Sequence, residues 1–170
     1  ILGSIQSLGI QGLSYAAIQE INAQSIGTAS NPVSITADGD LWYLNATSGG
    51  VNGSIFVRNL ERAGSPSGIL CAGNFAASLA ASQSIIKPIT ISGTLPAGST
   101  IKAANSVSGA ITISGAAGLG GQIIVNSGAG SGTWTGALSV GGSIDLLPLG
   151  GLAAQMRTST PLGLSDFVNA

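Results

Sequence analysis

The chain contains no histidine, and Cys71 is its single cysteine. Without histidine the Ser-His-Asp and Cys-His triads cannot be built, and the commonest metal ligand is missing. One thiol and no imidazole also exclude a conventional structural zinc site and any internal disulfide. Cys71 therefore reads as a small buried core residue. Charge is equally scarce: five Lys and Arg stand against six Asp and Glu in 170 residues, for a net charge of −1. No basic patch exists to meet phosphate, so nucleic acid is not an expected partner. The surface must be made of Ser, Thr, Asn, Gln and Gly. Although 44% of the residues are hydrophobic, Gly or Ser interrupts them every few positions. No apolar run approaches the ~20 residues of a membrane-crossing helix, and no membrane span is expected. The chain begins at Ile1 with no Met and no Lys/Arg-rich leader. The expectation is a processed or excised piece of a longer precursor.

What the chain does have is a returning phrase. Ile89-Thr90-Ile91-Ser92-Gly93 recurs as Ile111-Thr112-Ile113-Ser114-Gly115. Leu79, Ile101 and Ile123 share the same spacing, as do Val33 and Ile55, while Ile123 to Ile144 and Ile69 to Ile89 are slightly shorter steps. Self-similarity at a period of about 22 residues marks a stacked repeat architecture. Each repeat consists of short β-runs and Gly/Ser turns, and the alternation Ile111-Thr112-Ile113-Ser114 puts isoleucine on one face and hydroxyls on the other. The expected fold is all-β: a right-handed parallel β-helix, or β-solenoid, of about 22 residues per coil with irregular terminal segments. Ile89, Ile111, Leu79, Ile101 and Ile123 should point inward. Strands are predicted at 33–37, 41–45, 54–58, 68–72, 77–81, 88–92, 100–103, 110–114, 122–126, 132–136 and 137–140. Glycine supplies the positive φ that sharp corners need.

The chain divides into three segments. Residues 1–24 form an N-terminal cap or assembly segment. Within it, Ala16, Ala17, Gln19 and Glu20 suit a short helix over 15–23, and an irregular solenoid edge is an equal reading. Residues 25–145 form the solenoid body. Residues 146–170 leave the repeat phase and form a C-terminal cap or docking segment.

Candidate chemistry is sparse. Asp38 and Asp40 are the only acids close in sequence. Flanking Gly39, their carboxylates offer oxygen ligands to calcium; the competing reading is a polar turn whose carboxylates cap turn amides. As an acid–base pair they would need a cation, and Arg58, a little under one period further on, is the nearest available. Trp42, Tyr43 and Trp134 could stack on sugar rings or cover the core. Adjacent in one strand, Trp42 and Tyr43 should point one in and one out. Asn45-Ala46-Thr47 and Asn52-Gly53-Ser54 match the N-glycosylation acceptor pattern. Gly118-Leu119-Gly120-Gly121 and Gly128-Ala129-Gly130-Ser131-Gly132 open no predicted helix and read as solenoid corners rather than nucleotide loops.

Residues 27–33 (Gly-Thr-Ala-Ser-Asn-Pro-Val), 38–44 (Asp-Gly-Asp-Leu-Trp-Tyr-Leu), 89–95, 121–126 and 132–136 resemble phrases of secreted bacterial β-helix repeat proteins of the adhesin and filamentous surface-protein kind. The resemblance covers residues 25–145, and the two ends do not match it. It implies an extracellular or cell-surface location and a structural or adhesive role, and it brings no catalytic residues. The expected function is a non-enzymatic structural protein that self-associates into a filament or surface assembly; the alternative is a carbohydrate-binding or adhesive module facing a surface polysaccharide. No cofactor is expected beyond calcium at Asp38 and Asp40.

Overall fold

The computed structural model describes residues 9–11, 17–61, 68–115, 121–125, 133–141 and 155–158. Every regular element among them is a strand. The strands stack as a parallel β-solenoid with three sheets. The first sheet contains, in spatial order, β1 (Gly9–Gln11), β3 (Val33–Thr36), β5 (Val51–Val57), β7 (Phe75–Ala81), β10 (Thr100–Ala103) and β13 (Gln122–Val125). The second contains β8 (Ser84–Ile85), β11 (Ser106–Val107) and β14 (Thr133–Trp134). Bridges from Leu41 to Leu60 and from Leu60 to Ile85 extend it backwards. The third runs β2 (Ile18–Ala23), β4 (Leu41–Ala46), β6 (Ile69–Cys71), β9 (Ile89–Ile91), β12 (Ile111–Ile113), β15 (Ala137–Val140) and β16 (Gln155–Thr158). From β5 onward each turn visits the three sheets in the same order. Following Ile35, Ile55, Leu79, Ile101 and Ile123 along the first sheet traverses four turns; the first step is the shortest, the second the longest, and the last two are equal.

The repeated isoleucines build the interior. Ile69, Ile89, Ile111 and Leu138 are successive partners in the third sheet, and all are buried. Leu79 and Ile101 are buried partners in the first, and Ile123 packs against the core at its end. Leu41, Leu60, Ile85 and Val107 line the second. Because successive residues of a strand alternate faces, three-residue strands such as Ile89–Ile91 give two side chains to the core and one hydroxyl to solvent. The alternation read in Ile111-Thr112-Ile113-Ser114 is therefore present. Burying each large aliphatic chain stabilises by roughly 1.5–3 kcal/mol, against the entropy of ordering many glycines. Cys71 lies in this interior, between Ala46 and Ile91 of neighbouring coils. Its Sγ lies 3.3 Å from the carbonyl of Gly73. Burial raises the pKa of its thiol, and backbone hydrogen bonds offset only part of that rise.

Three expectations are corrected. Residues 18–23 form strand β2 rather than part of a helix: Ile21 and Ala23 face inward, Glu20 and Asn22 face outward, and the strand pairs with β4. Tertiary pairing here overrides local helix propensity; residues 15 and 16 lie outside the described residues. Val33 does not pair with Ile55. Val33 pairs with Gly53 and Ile35 with Ile55, so this coil is shorter than the repeat period. Trp42 and Tyr43 do not divide into one inward and one outward residue; both are half-buried. The third sheet also extends beyond residues 25–145, through β2 at one end and β16 at the other. Ile144 lies outside the described residues.

The phase change at Val33 has a local cause. Ile26 bridges to Val51, whereas Val33 pairs with Gly53. The stretch from Ile26 to Val33 on one coil therefore faces only Val51 to Gly53 on the next, and 27–32 leave the ladder as an excursion. Gly27 and Gly53 permit it. Their φ values are +70° and +141°. A Cβ on Gly53 would fall 1.9 Å from the Val33 carbonyl oxygen, and one on Gly27 would fall 2.2 Å from that of Asn52. Only glycine allows both the dihedral and the approach.

Candidate functional site

Asp38-Gly39-Asp40 forms the bend between β3 and β4. The next coil ends its first-sheet strand at Val57, which places Arg58 and Asn59 against this bend; the Arg58 amide donates to the Gly39 carbonyl at 2.9 Å. Arg58 then grips Asp40 with two bonds, Nε to Oδ1 at 3.0 Å and Nη2 to Oδ2 at 3.2 Å. The Asn59 amide donates to the same Oδ1 at 3.0 Å and lies 3.4 Å from Gln83 Oε1, while its own oxygen accepts from the Ser84 amide at 3.0 Å. Asn59 is 8% exposed, so a lost partner here would leave a buried amide unsatisfied. Burial alone would raise the Asp40 pKa. The hydrogen bonds from Arg58 and Asn59 and the guanidinium charge outweigh it and hold the carboxyl below its usual range.

The arrangement links Asp40, Asn59 and Gln83 on three successive coils. The sequence brings Arg58 within range of Asp40, and the pairing is present. Asp38 is exposed and makes no side-chain bond of this kind. Both oxygens of Asp40 already accept hydrogen bonds, which leaves the pair poorly arranged to take an ion together. Among the described residues no three or more Cys, Asp or Glu side chains lie close enough to hold a metal. Asn59 was missed because an isolated asparagine carries no spacing signal; its position one residue after Arg58, opposite the Asp40 bend, is the only hint.

Trp42 and Tyr43 follow directly. Leu41 pairs with Ile18 of β2 and also bridges to Leu60, while Leu44 pairs with Ile21. Both leucines are buried, so the inward–outward alternation of β4 breaks between them, and Trp42 and Tyr43 are each left half-buried. The equivalent corner two coils on holds Ile86-Lys87-Pro88, and the next holds Ser108-Gly109-Ala110. Glu20 is the register partner of Tyr43, and Asn22 that of Asn45. Asn45 donates to Asn22 Oδ1 at 3.3 Å, and Asn22 Nδ2 lies 3.5 Å from Glu20 Oε1. Partial burial, and then the Glu20 carboxylate, raise the Tyr43 pKa. The outer face of β2 and β4 thus gathers the Tyr43 ring, a carboxylate and two amides, with Trp42 half-buried next to Tyr43 in β4. That set can stack on a sugar ring and hydrogen-bond its hydroxyls. Trp134 is elsewhere: its backbone pairs with Val107 in the second sheet, and its side chain lies outside the described residues.

In comparisons with known proteins, no family model, no curated protein and no solved structure matches this chain. The functional reading therefore rests on the residues themselves.

Proposed function

We propose that this chain is a non-enzymatic, extracellular structural protein that self-associates end to end into a filament or surface assembly. One observation carries the reading. The strands stack in parallel along the body, so the stack ends in strand edges. Such an edge is a template for a further strand. Contact between opposite ends of identical solenoids is heterologous and does not close, so it propagates as a fibre. The low net charge offers little repulsion against such contact. The engagement of Asp40 by Arg58 and Asn59 supports the non-enzymatic part, because it leaves no free acid pair at that bend.

Negative-stain microscopy and light scattering of the purified chain test this. Filaments or large linear assemblies are expected. Particles that stay dispersed at the highest soluble concentration would refute it. A second reading, a carbohydrate-binding or adhesive module, is favoured by the Trp42, Tyr43, Glu20, Asn22 and Asn45 cluster. Tyr43→Ala should then abolish retention on an immobilised polysaccharide without changing assembly.

A further inference from the structure

The excursion at 27–32 makes a second concave surface, on a different face from the Trp42–Tyr43 corner. The excursion is tied to itself. The Thr28 amide donates to the Asn31 carbonyl at 3.0 Å, and the Asn31 amide donates to the Thr28 carbonyl at 3.2 Å and to Thr28 Oγ1 at 3.1 Å. It stands beside the outer face of the first sheet and encloses a groove of about 580 Å³. Thr28, Ala29 and Pro32 form one wall; Ser34, Asn52 and Ser54 are the polar groups of the floor.

Three features of this groove and of the strand face beside it point to a ligand; Phe56 lies beside the lining residues rather than among them. Phe56 stands two residues beyond Ser54 on the same outward side of β5 and is 47% exposed. Its cross-strand neighbours are Thr36 and Ala80, which are too short to cover an aromatic ring. Beside the cleft, this exposed ring offers an apolar face on which a sugar ring can stack. Next, the side chains of Ser34, Asn52 and Ser54 make no hydrogen bond among the described residues, whereas Ser78 and Thr100, further along the same outward column, bond each other at 2.7 Å. Finally, none of the residues lining the groove is charged.

We propose that this groove binds a neutral polysaccharide, with a pyranose ring stacked on Phe56 and its hydroxyls held by Ser34, Ser54 and Asn52. The chemistry selects this class. A phosphate or carboxylate ligand would need a cation, and no lining residue supplies one. A peptide added as a further strand would need a free strand edge, but β3, β5 and β7 are each paired on both sides. A sugar ring offers an apolar C–H face to the aromatic ring and hydroxyls to uncharged donors and acceptors. Two residues along a strand span about 6.6 Å, so Phe56 and Ser54 are spaced to meet one ring and its substituents. The site shares its ligand class with the second functional reading but not its residues, and it is independent of end-to-end assembly.

Isothermal titration of the full chain with cellohexaose, mannohexaose and a polygalacturonate hexamer tests the proposal. At least one neutral hexasaccharide should bind and the anionic one should not. Phe56→Ala should weaken binding about tenfold or more; because Phe56 is outside the core, its fold should survive, checked by circular dichroism. Ala29→Trp, which fills the groove from its wall, should block binding independently. Tyr43→Ala should leave it unchanged. Four results overturn the proposal: no binding of either neutral probe, equal binding of the anionic probe, binding that persists in both Phe56→Ala and Ala29→Trp, or binding lost in Tyr43→Ala alone, which would assign sugar recognition to the corner.

Discussion

Replacing Ile111 with Asp tests the architecture at its centre. Ile111 is fully buried and sits between Ile89 and Leu138 in the third sheet. Removing its side chain costs about 2–5 kcal/mol, as for other large-to-small core changes. Leaving an unpaired carboxylate in its place adds several kcal/mol more. A domain of this size is stable by only about 5–15 kcal/mol, so the change should remove most or all of that margin. The damage should concentrate in the coils carrying β9, β12 and β15, because each coil is supported mainly by its neighbours. Thr112→Asp is the control: it adds the same charge one residue away, on the outward face, paired with Thr90 and Ser139. Its effect should stay within about 0.5 kcal/mol, as at other surface positions. Urea denaturation followed by circular dichroism measures both variants, and amide exchange locates the loss. A carboxyl buried at position 111 favours its neutral form. The Ile111→Asp variant should therefore recover part of its stability as pH is lowered towards the carboxylate range. If Ile111→Asp and Thr112→Asp unfold at the same urea concentration, the inward assignment of this column is wrong.

Three further outcomes are expected. Gly53→Ala should destabilise the chain by about 1–3 kcal/mol, because the residue would be held at positive φ with its Cβ against the Val33 carbonyl; an unchanged melting temperature would show that the excursion is not held this closely. The Asp40 pKa is depressed in the folded chain, so its contribution is fully present above the unfolded carboxylate value of about 3.9 and is lost as pH falls through the lower folded value. The pair is partly exposed, 35% at Arg58 and 19% at Asp40, so the charge contribution is about 1 kcal/mol or less; Asp40→Asn should lower the melting temperature at pH 7 and flatten its fall between pH 5 and 2. Cys71, buried and with a raised pKa, should resist a thiol-specific disulfide reagent in the native chain and react stoichiometrically in urea; rapid native labelling would place it at the surface.

The parts of this molecule that were legible in the sequence are those that repeat without interruption. Between Ile69 and Ile123 the coils differ little in length, so a fixed residue count and the hydrogen-bond register coincide. Ile89 and Ile111 could be paired by inspection for that reason. Strands β8 and β11 were not anticipated, because two residues, Ser84–Ile85 and Ser106–Val107, are too few to show a period. The register failed at Val33 for a different reason. A period counts every residue of the chain, whereas a ladder counts only those that pair, and the 27–32 excursion adds residues to one count alone. Of the two equal readings of 15–23, pairing with β4 decides for the solenoid edge over 18–23 and against the helix; that pairing is a long-range contact that no local propensity reports.

The candidate sites were less legible than the fold, because the repeat constrains inward positions and leaves outward ones open. Trp42 and Tyr43 were noticed as rare residues, but their shared half-burial depends on a break in the alternation of β4 between Leu41 and Leu44, both of which are buried. Asn59 carries no spacing signal, and its role depends on Asp40 and Gln83 of adjacent coils. Phe56 shows how far the pattern itself can be pushed. In Ser54-Ile55-Phe56-Val57 the aromatic residue reads at first as one member of an apolar run. Yet the period of two that puts Ile55 and Val57 inside requires Phe56 to face out, and it does. A large apolar side chain on the outward parity of a strand otherwise flanked by Ser and Asn conflicts with the local pattern. Such a conflict, beside an excursion that needs two glycines at positive φ, is what the proposed groove would account for.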